Sequence, residues 1–288
     1  MLTNNFSLEP RIGMQWKTSL NTTLNFGTGL YSQLQPRLIC FYQDNDGHFP
    51  NQSLKFTQSW QTVAGINWKF AKSFIIKNEI YYQYLYNVPV TMEVPQESLL
   101  NFGDDNNWDY AFVNKGTGQN YGIELTLEKF LTNNYYFLAT VSLYQSKYKG
   151  YDNIKRDTKY NGNYVFNLLG GYELKISKNN FLSPNIRISH IGGKRRIPAR
   201  FVTDNFGTRV QYDYNNAYTI QYPAYFRFDL NINMKMNFKS WSLEFFVELA
   251  NITNHKNVWT QRYDVNNQEE IFIYHYGFMP IGGVKAYF

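Results

Sequence analysis

Residues 226–238 alternate without a break between apolar and polar side chains. Phe226, Phe228, Leu230, Ile232, Met234, Met236 and Phe238 fall on one face, and Arg227, Asp229, Asn231, Asn233, Lys235 and Asn237 on the other. A period of two means a β-strand with one dry face and one wet face. At roughly 3.3 Å per residue the stretch reaches about 43 Å. Soluble strands are typically about 5–6 residues long, whereas this length suits a strand tilted through a bilayer whose hydrocarbon is about 30 Å thick. Lipid cannot satisfy an open backbone edge, so a spanning strand predicts a barrel.

The same pattern recurs along the chain. Leu8, Pro10, Ile12, Met14 and Trp16 alternate with Glu9, Arg11, Gly13, Gln15 and Lys17. Comparable runs occupy 24–30, 64–70, 79–86, 121–128, 139–144, 164–175, 186–189 and 241–249. With the C-terminal segment this predicts about eleven strands. In these runs every charged side chain lies on the polar face, as a lipid-facing surface demands, where a midplane charge costs about 2–4 kcal/mol. The expected fold class is all-β: an antiparallel up-and-down transmembrane β-barrel, in partial form.

The connections alternate in length. Short ones fall at Lys17–Leu20, Ala71–Ser73, Leu131–Asn134, Ser177–Asn180 and Lys239–Ser240, flanked by Trp16, Phe70, Phe74, Phe130, Tyr135, Phe181, Phe238 and Trp241. This reads as an aromatic girdle at one membrane interface. Long connections cover 35–55, 87–115, 147–161 and 192–225. Short turns on one side and long loops on the other match periplasm and exterior. An odd strand count puts Phe288 at the periplasm and Met1 at the exterior. Bacterial single-chain barrels have even counts, so residues 1–288 are expected to form the C-terminal part of a larger barrel domain.

Composition adds limits. Aromatic residues make up 19% of the chain, with 25 Tyr and 23 Phe, which suits strands and membrane interfaces. Mean hydropathy is −0.48, and no run of 18 apolar residues offers a spanning helix. The single cysteine, Cys40, excludes an internal disulfide and a multi-cysteine metal site. The net charge of +6 is scattered, so nucleic acid is not an expected partner. The first residues carry no basic and apolar leader pattern, in conflict with export to an outer membrane.

Several segments resemble the barrel of TonB-dependent outer-membrane receptors, in the version common in Bacteroidetes-type bacteria. They are 78–86 (NEIYYQYLY), 113–124 (VNKGTGQNYGIE) and 248–254 (ELANITN), with Glu9-Pro10-Arg11, Tyr31-Ser32-Gln33 and Gly192–Arg196 in support. The ending Gly283-Val284-Lys285-Ala286-Tyr287-Phe288 is similar to the terminal strand signal read by the barrel-insertion machinery, with Gly283 and Phe288 in place and Ala286 a weak match. The resemblance implies a barrel of about 22 strands with a plugged lumen. It also implies energised uptake of a scarce nutrient, of metal-chelate, cobalamin or glycan class. The implied partners are outer-membrane lipid, the insertion machinery, a small nutrient ligand, and TonB only through a plug domain that lies outside this sequence.

The candidate chemistry is sparse. The glycines of 116–122 fit neither the dinucleotide fingerprint nor the P-loop. His48, His190, His255 and His275 lack metal-ligand spacing. Ser189 and His190 are neighbours on a strand, so they point to opposite faces and cannot pair as a hydrolase requires. No catalytic, cofactor-binding or metal residue is expected, and the chain does not read as an enzyme. Lys194, Arg195 and Arg196 form the densest basic cluster and are the candidates for contact with an anion or lipopolysaccharide, against the reading of a solvated rim or lumen ion pairs. Tyr42, Phe49, Trp108, Tyr110 and Phe112 are loop aromatics suited to ligand capture or to packing loop on loop. Glu124, Glu128, Asp229 and Glu248 are expected to line the lumen. The two alternatives are a self-contained passive porin, which needs an even strand count, and a soluble all-β binding protein.

Overall fold

The computed structural model describes residues 6–102 and 109–288. Eleven strands run in an unbroken antiparallel path, and the strand order follows the chain. They are β1 (Arg11–Lys17), β2 (Thr22–Gln33), β3 (Thr57–Ala71), β4 (Phe74–Thr91), β5 (Phe112–Thr132), β6 (Tyr135–Lys149), β7 (Tyr164–Tyr172), β8 (Asn180–Ile191), β9 (Tyr225–Asn237), β10 (Ser242–Ala250) and β11 (Met279–Tyr287). Two short strands complete the 13-stranded sheet: Lys155–Asp157 pairs with β6 and Leu174–Lys175 with β8. Among the described residues nothing pairs β1 with β11, so the wall has two open edges.

Register explains why period two was so readable. Arg187 stands opposite Asp229, and Asn231 opposite Glu248. Directly opposed residues share a face, so the polar positions of successive strands meet in rows. Leu230 opposite Leu249 and Met234 opposite Phe245 make the corresponding apolar rows. The alternation runs on through Leu174 although β7 ends at Tyr172. Gly171 opposes Asn185 and Leu174 opposes Leu182 in one register, and Pro184, in the gap between, has no N–H for the ladder.

The strands β4 and β5 have 18 and 21 residues, about 59 and 69 Å at strand rise. They overshoot a bilayer's hydrocarbon and carry the loops at the long-loop end. The short-turn end holds the girdle. Trp68, Phe70, Phe74 and Phe137 form a chain of rings with centroids 5.6, 5.3 and 6.2 Å apart. Phe238 stacks on Trp241 at 4.4 Å, and Phe288 on Trp241 at 6.4 Å.

At the short-turn end a charge does sit on the apolar face. Lys129 opposes Phe74 and Phe137 and is only 2% exposed. Its ammonium donates to the carbonyls of Thr132 and Tyr135, each at 2.7 Å, and to Thr132 Oγ1 at 3.0 Å. It also lies 3.5 Å from the Tyr135 ring centroid. The side chain thus folds back onto the turn at the interface and staples it.

The apolar core lies at the long-loop end rather than inside the wall. Ile39, Cys40, Leu54 and Phe112 form one cluster, and Tyr148, Ala217 and Tyr218 another. The connection between β8 and β9 contains a hairpin, Ala199–Asp204 with Gly207–Tyr212. The connection between β10 and β11 contains a second, Val258–Asp264 with Glu269–Tyr274. That last long loop was not among the four expected from the sequence.

Candidate functional site

Four long connections converge on a cavity of about 780 Å³ at the long-loop end. Phe102 and Glu97 come from the β4–β5 connection, with Tyr110 just before β5. Lys159 and Tyr160 follow β6, Lys194–Ile197 and four tyrosines follow β8, and Trp259 and Gln261 come from the last hairpin.

The framework is built from buried amides that tie distant backbone together. Asn51, fully buried, donates to the carbonyls of Ile39 and Tyr110 (2.9 and 2.8 Å) and accepts from the Phe112 amide at 2.8 Å. Asn101 is also fully buried and accepts from the Lys159 amide at 2.9 Å. The Asn257 amide brackets Phe226, donating to its carbonyl and accepting from its N–H, both at 2.8 Å. Each hub meets backbone groups that the loops would otherwise leave unpaired. Gly192 is required by space: a Cβ there would lie 1.7 Å from the Gly162 carbonyl oxygen. That close approach starts the segment carrying Lys194–Arg196.

Glu97 lines the cavity and is 7% exposed. Tyr218 donates to its two carboxylate oxygens at 3.2 and 3.5 Å. Burial raises its pKa to about 6 against the lowering effect of that hydrogen bond. Burial and the Glu97 charge push Tyr214 up to about 12 and Tyr218 well above the usual phenol range. Beside the cavity, burial opposes ionisation of Asp152, but the Arg156 guanidinium, at 2.9 and 2.7 Å, outweighs it and holds the carboxyl below its ordinary range.

No family model matches the sequence. No curated protein matches it either. Solved structures do match in fold. The ferripyoverdine receptor of the Pseudomonas aeruginosa outer membrane aligns over 97% of this chain and 32% of its own, with TM-score 0.59 and 12% identity. BauA, the ferric preacinetobactin receptor of Acinetobacter baumannii, aligns over 97% and 36%, with TM-score 0.62 and 12% identity. The outer-membrane transporter YddB of Escherichia coli aligns over 98% and 41%, with TM-score 0.64 and 10% identity. The fold is that of an outer-membrane receptor barrel. The chain spans between 32% and 41% of the length of these three structures, and its eleven-strand wall is a partial barrel.

In a receptor barrel the polar face of the wall is the lumen, and Glu124, Glu128, Asp229 and Glu248 all stand on it. Asp229, 3% exposed, accepts from Arg187 at 2.9 and 2.6 Å, from Arg227 at 2.6 Å, and from the Asn251 amide at 2.8 Å. Glu248 extends the group, 3.7 and 3.8 Å from the two arginines. Asn251 in turn closes the turn with both its amide atoms on His255, which gives the 248–254 segment a structural role. Glu128 pairs with Lys77 at 3.0 Å.

The basic cluster divides. Arg196 pairs with Glu270 across to the last hairpin. Arg195 donates to the Asn161 carbonyl and to Asn163 Oδ1, and lies 3.7 Å from Asp157. Lys194 is exposed, and its ammonium lies 5.7 Å from the Tyr160 ring centroid. Ser189 and His190 do point apart: Ser189 bonds Asn167 at 2.8 Å on the lumen face, and His190 packs between Tyr164 and Phe226. Phe112 is buried in the loop core, and Tyr110 serves both core and cavity. Trp108 lies outside the described residues. Gly283 lies under the Phe246 ring, where a Cβ would come within 2.7 Å of it.

Two groups escaped the sequence reading. Glu97 carried no signal beyond an isolated acid in a loop. Ligand atoms of Asp44, Asp46 and His48 lie within 4.8 Å of one another. Asp44 Oδ1 accepts from the amides of Asp46 and His48 at 3.1 and 2.8 Å, so a tight loop is sufficient to gather them.

Proposed function

We propose that this chain is wall and outer vestibule of a TonB-dependent outer-membrane receptor of the Bacteroidetes type, serving energised uptake of a scarce nutrient. The observation that carries the reading is the aromatic and basic cavity closed by long loops over a polar-faced, receptor-type wall. In this reading residues 1–288 are the C-terminal part of the barrel domain. The plug and the remaining strands lie elsewhere in the receptor, and TonB acts through that plug. Strand direction supports it. β1 and β11 are first and last of eleven antiparallel strands, so they run the same way. Closure therefore needs an odd number of further strands, and a second copy of this chain would meet each edge in parallel. Candidate ligands are metal chelates, cobalamins and glycans; the likeness to receptors for ferric preacinetobactin and ferripyoverdine supports the first by analogy.

In the same reading Gly283 and Phe288 form the insertion signal, and Lys194 is the member of the basic cluster open to an anion or lipopolysaccharide phosphate. The test is a gene deletion in the source bacterium, with outer-membrane fractionation of the native protein. The expected result is a heat-modifiable outer-membrane band and loss of growth on one limiting nutrient. A soluble protein that shows no heat-modifiable migration contradicts the proposal.

A further inference from the structure

Glu97 forms no ion pair among the described residues, although it is nearly buried. Phe102, Tyr110, Tyr214 and Tyr218 line the cavity beside it, and Tyr148 closes behind, its ring 5.9 Å from that of Tyr218. A carboxylate inside a ring of aromatic faces is the environment that favours an organic ammonium, through charge-assisted hydrogen bonding and the ring quadrupoles. The lining that meets the last hairpin is basic. Arg196 there is neutralised by Glu270, whereas Lys194 forms no ion pair among the described residues. The cavity therefore joins a carboxylate among aromatic faces, with Lys159 acting on it, to the cations Lys194 and Arg196 elsewhere on the lining. Its volume of about 780 Å³ falls within the usual range for small-ligand sites, about 300–1,000 Å³.

We propose that the vestibule receives a zwitterionic ligand of peptide type, its protonated amine seated on Glu97 within the tyrosine ring and its carboxylate reaching Lys194. This rests on the receptor reading and gives it a substrate class. Tyr110, Tyr148, Tyr214, Tyr218 and Lys159 face Glu97, with Glu93 and Asp109 beyond Tyr110 and Asp152 and Arg156 beyond Tyr148. Ordinary phenols and ammonium groups keep their charge state between pH 5 and 7.5, so among the groups around Glu97 it is Glu97 itself, with its pKa raised to about 6 by burial, that switches there. His275 lies near Lys194, its pKa lowered by burial and by that lysine.

The experiment is calorimetry on the intact receptor in detergent at pH 7.5, with tetraalanine, N-acetyl-tetraalanine and tetraalanine amide as probes. Tetraalanine is expected to bind, and each blocked form to bind at least ten-fold more weakly. Glu97→Gln weakens tetraalanine at least ten-fold and leaves the acetylated form as in the wild type. Lys194→Ala weakens tetraalanine but not its amide. Lowering the pH to 5 weakens tetraalanine in the wild type and leaves the Glu97→Gln variant unchanged. Equal affinity for the free and acetylated peptides overturns the proposal. So does absence of tetraalanine binding by a receptor that still migrates as a heat-modifiable barrel, a result that leaves the barrel reading intact. Loss of heat-modifiable migration overturns the barrel reading and the ligand proposal with it.

Discussion

Asp229 shows how one residue serves both wall and loop. Its carboxylate joins Arg187 on β8, Arg227 on its own strand and the amide of Asn251 at the turn. Removing it leaves two guanidinium groups and an amide without their acceptor. Arg187 is half exposed, so screening trims the cost of a broken buried pair to about 2–3 kcal/mol. Asp229→Ala is therefore expected to lower the urea midpoint of heat-modifiable migration, and Asp229→Asn to lower it less. Glu97 makes a second prediction, with a defined sign. Its folded-state pKa is raised from 4.5 to about 6, so the folded loops bind more protons than the unfolded chain across that window. The contribution of Glu97 to their stability is then fully present below pH 4.5 and is lost as the pH rises through 6. Asp152 works the other way, its stabilisation being lost as the pH falls through its lowered range. Limited proteolysis of the loops at pH 5.5 and 7.5 should show greater protection at 5.5, and Glu97→Gln should remove the difference.

At the level of elements, the wall was legible and the loops were not. A strand such as β9 writes its two environments into alternate residues, so Tyr225–Asn237 came within one residue of the stretch read from sequence. The count of about eleven strands likewise matches the path of the sheet. The strand Gly207–Tyr212 of a loop hairpin alternates too, and Val258–Asp264, seven residues, is not separated by length alone from the seven-residue β1. What places it is remote: Arg196 on Glu270, and the Tyr212 and Phe201 rings each 6.0 Å from that of Tyr263. Lys194–Arg196 was visible as a cluster, but the ion pairs that occupy Arg195 and Arg196 depend on Asp157 and Glu270, far along the chain. Glu97 became a site residue only when the loop after β8 laid Tyr218 against it. Two predictions belong here. Gly192→Val drives a side chain into the Gly162 carbonyl, so the loops should become protease-sensitive while heat-modifiable migration survives. Phe288→Ala removes a ring from the Trp241 stack and should lower the yield of inserted barrel, read as the folded fraction in outer-membrane preparations.

For the whole molecule, the open edges decide behaviour. Ile12, Met14 and Trp16 on β1 and Val284 on β11 are more than half exposed, beside backbone that no neighbour pairs among the described residues. Expressed alone in water, the chain should aggregate through those edges and its apolar belt. A monodisperse detergent-free monomer would speak against a membrane wall. The central claim, lipid on one face and lumen on the other, is tested most directly along β9 in the intact protein in bilayers. Single cysteines at 226–237, each spin-labelled, report access to oxygen dissolved in lipid and to an aqueous nickel chelate. Oxygen access should peak at 226, 228, 230, 232, 234 and 236, and nickel access at the positions between. Uniform access along the strand, or nickel reaching both faces equally, would contradict the account.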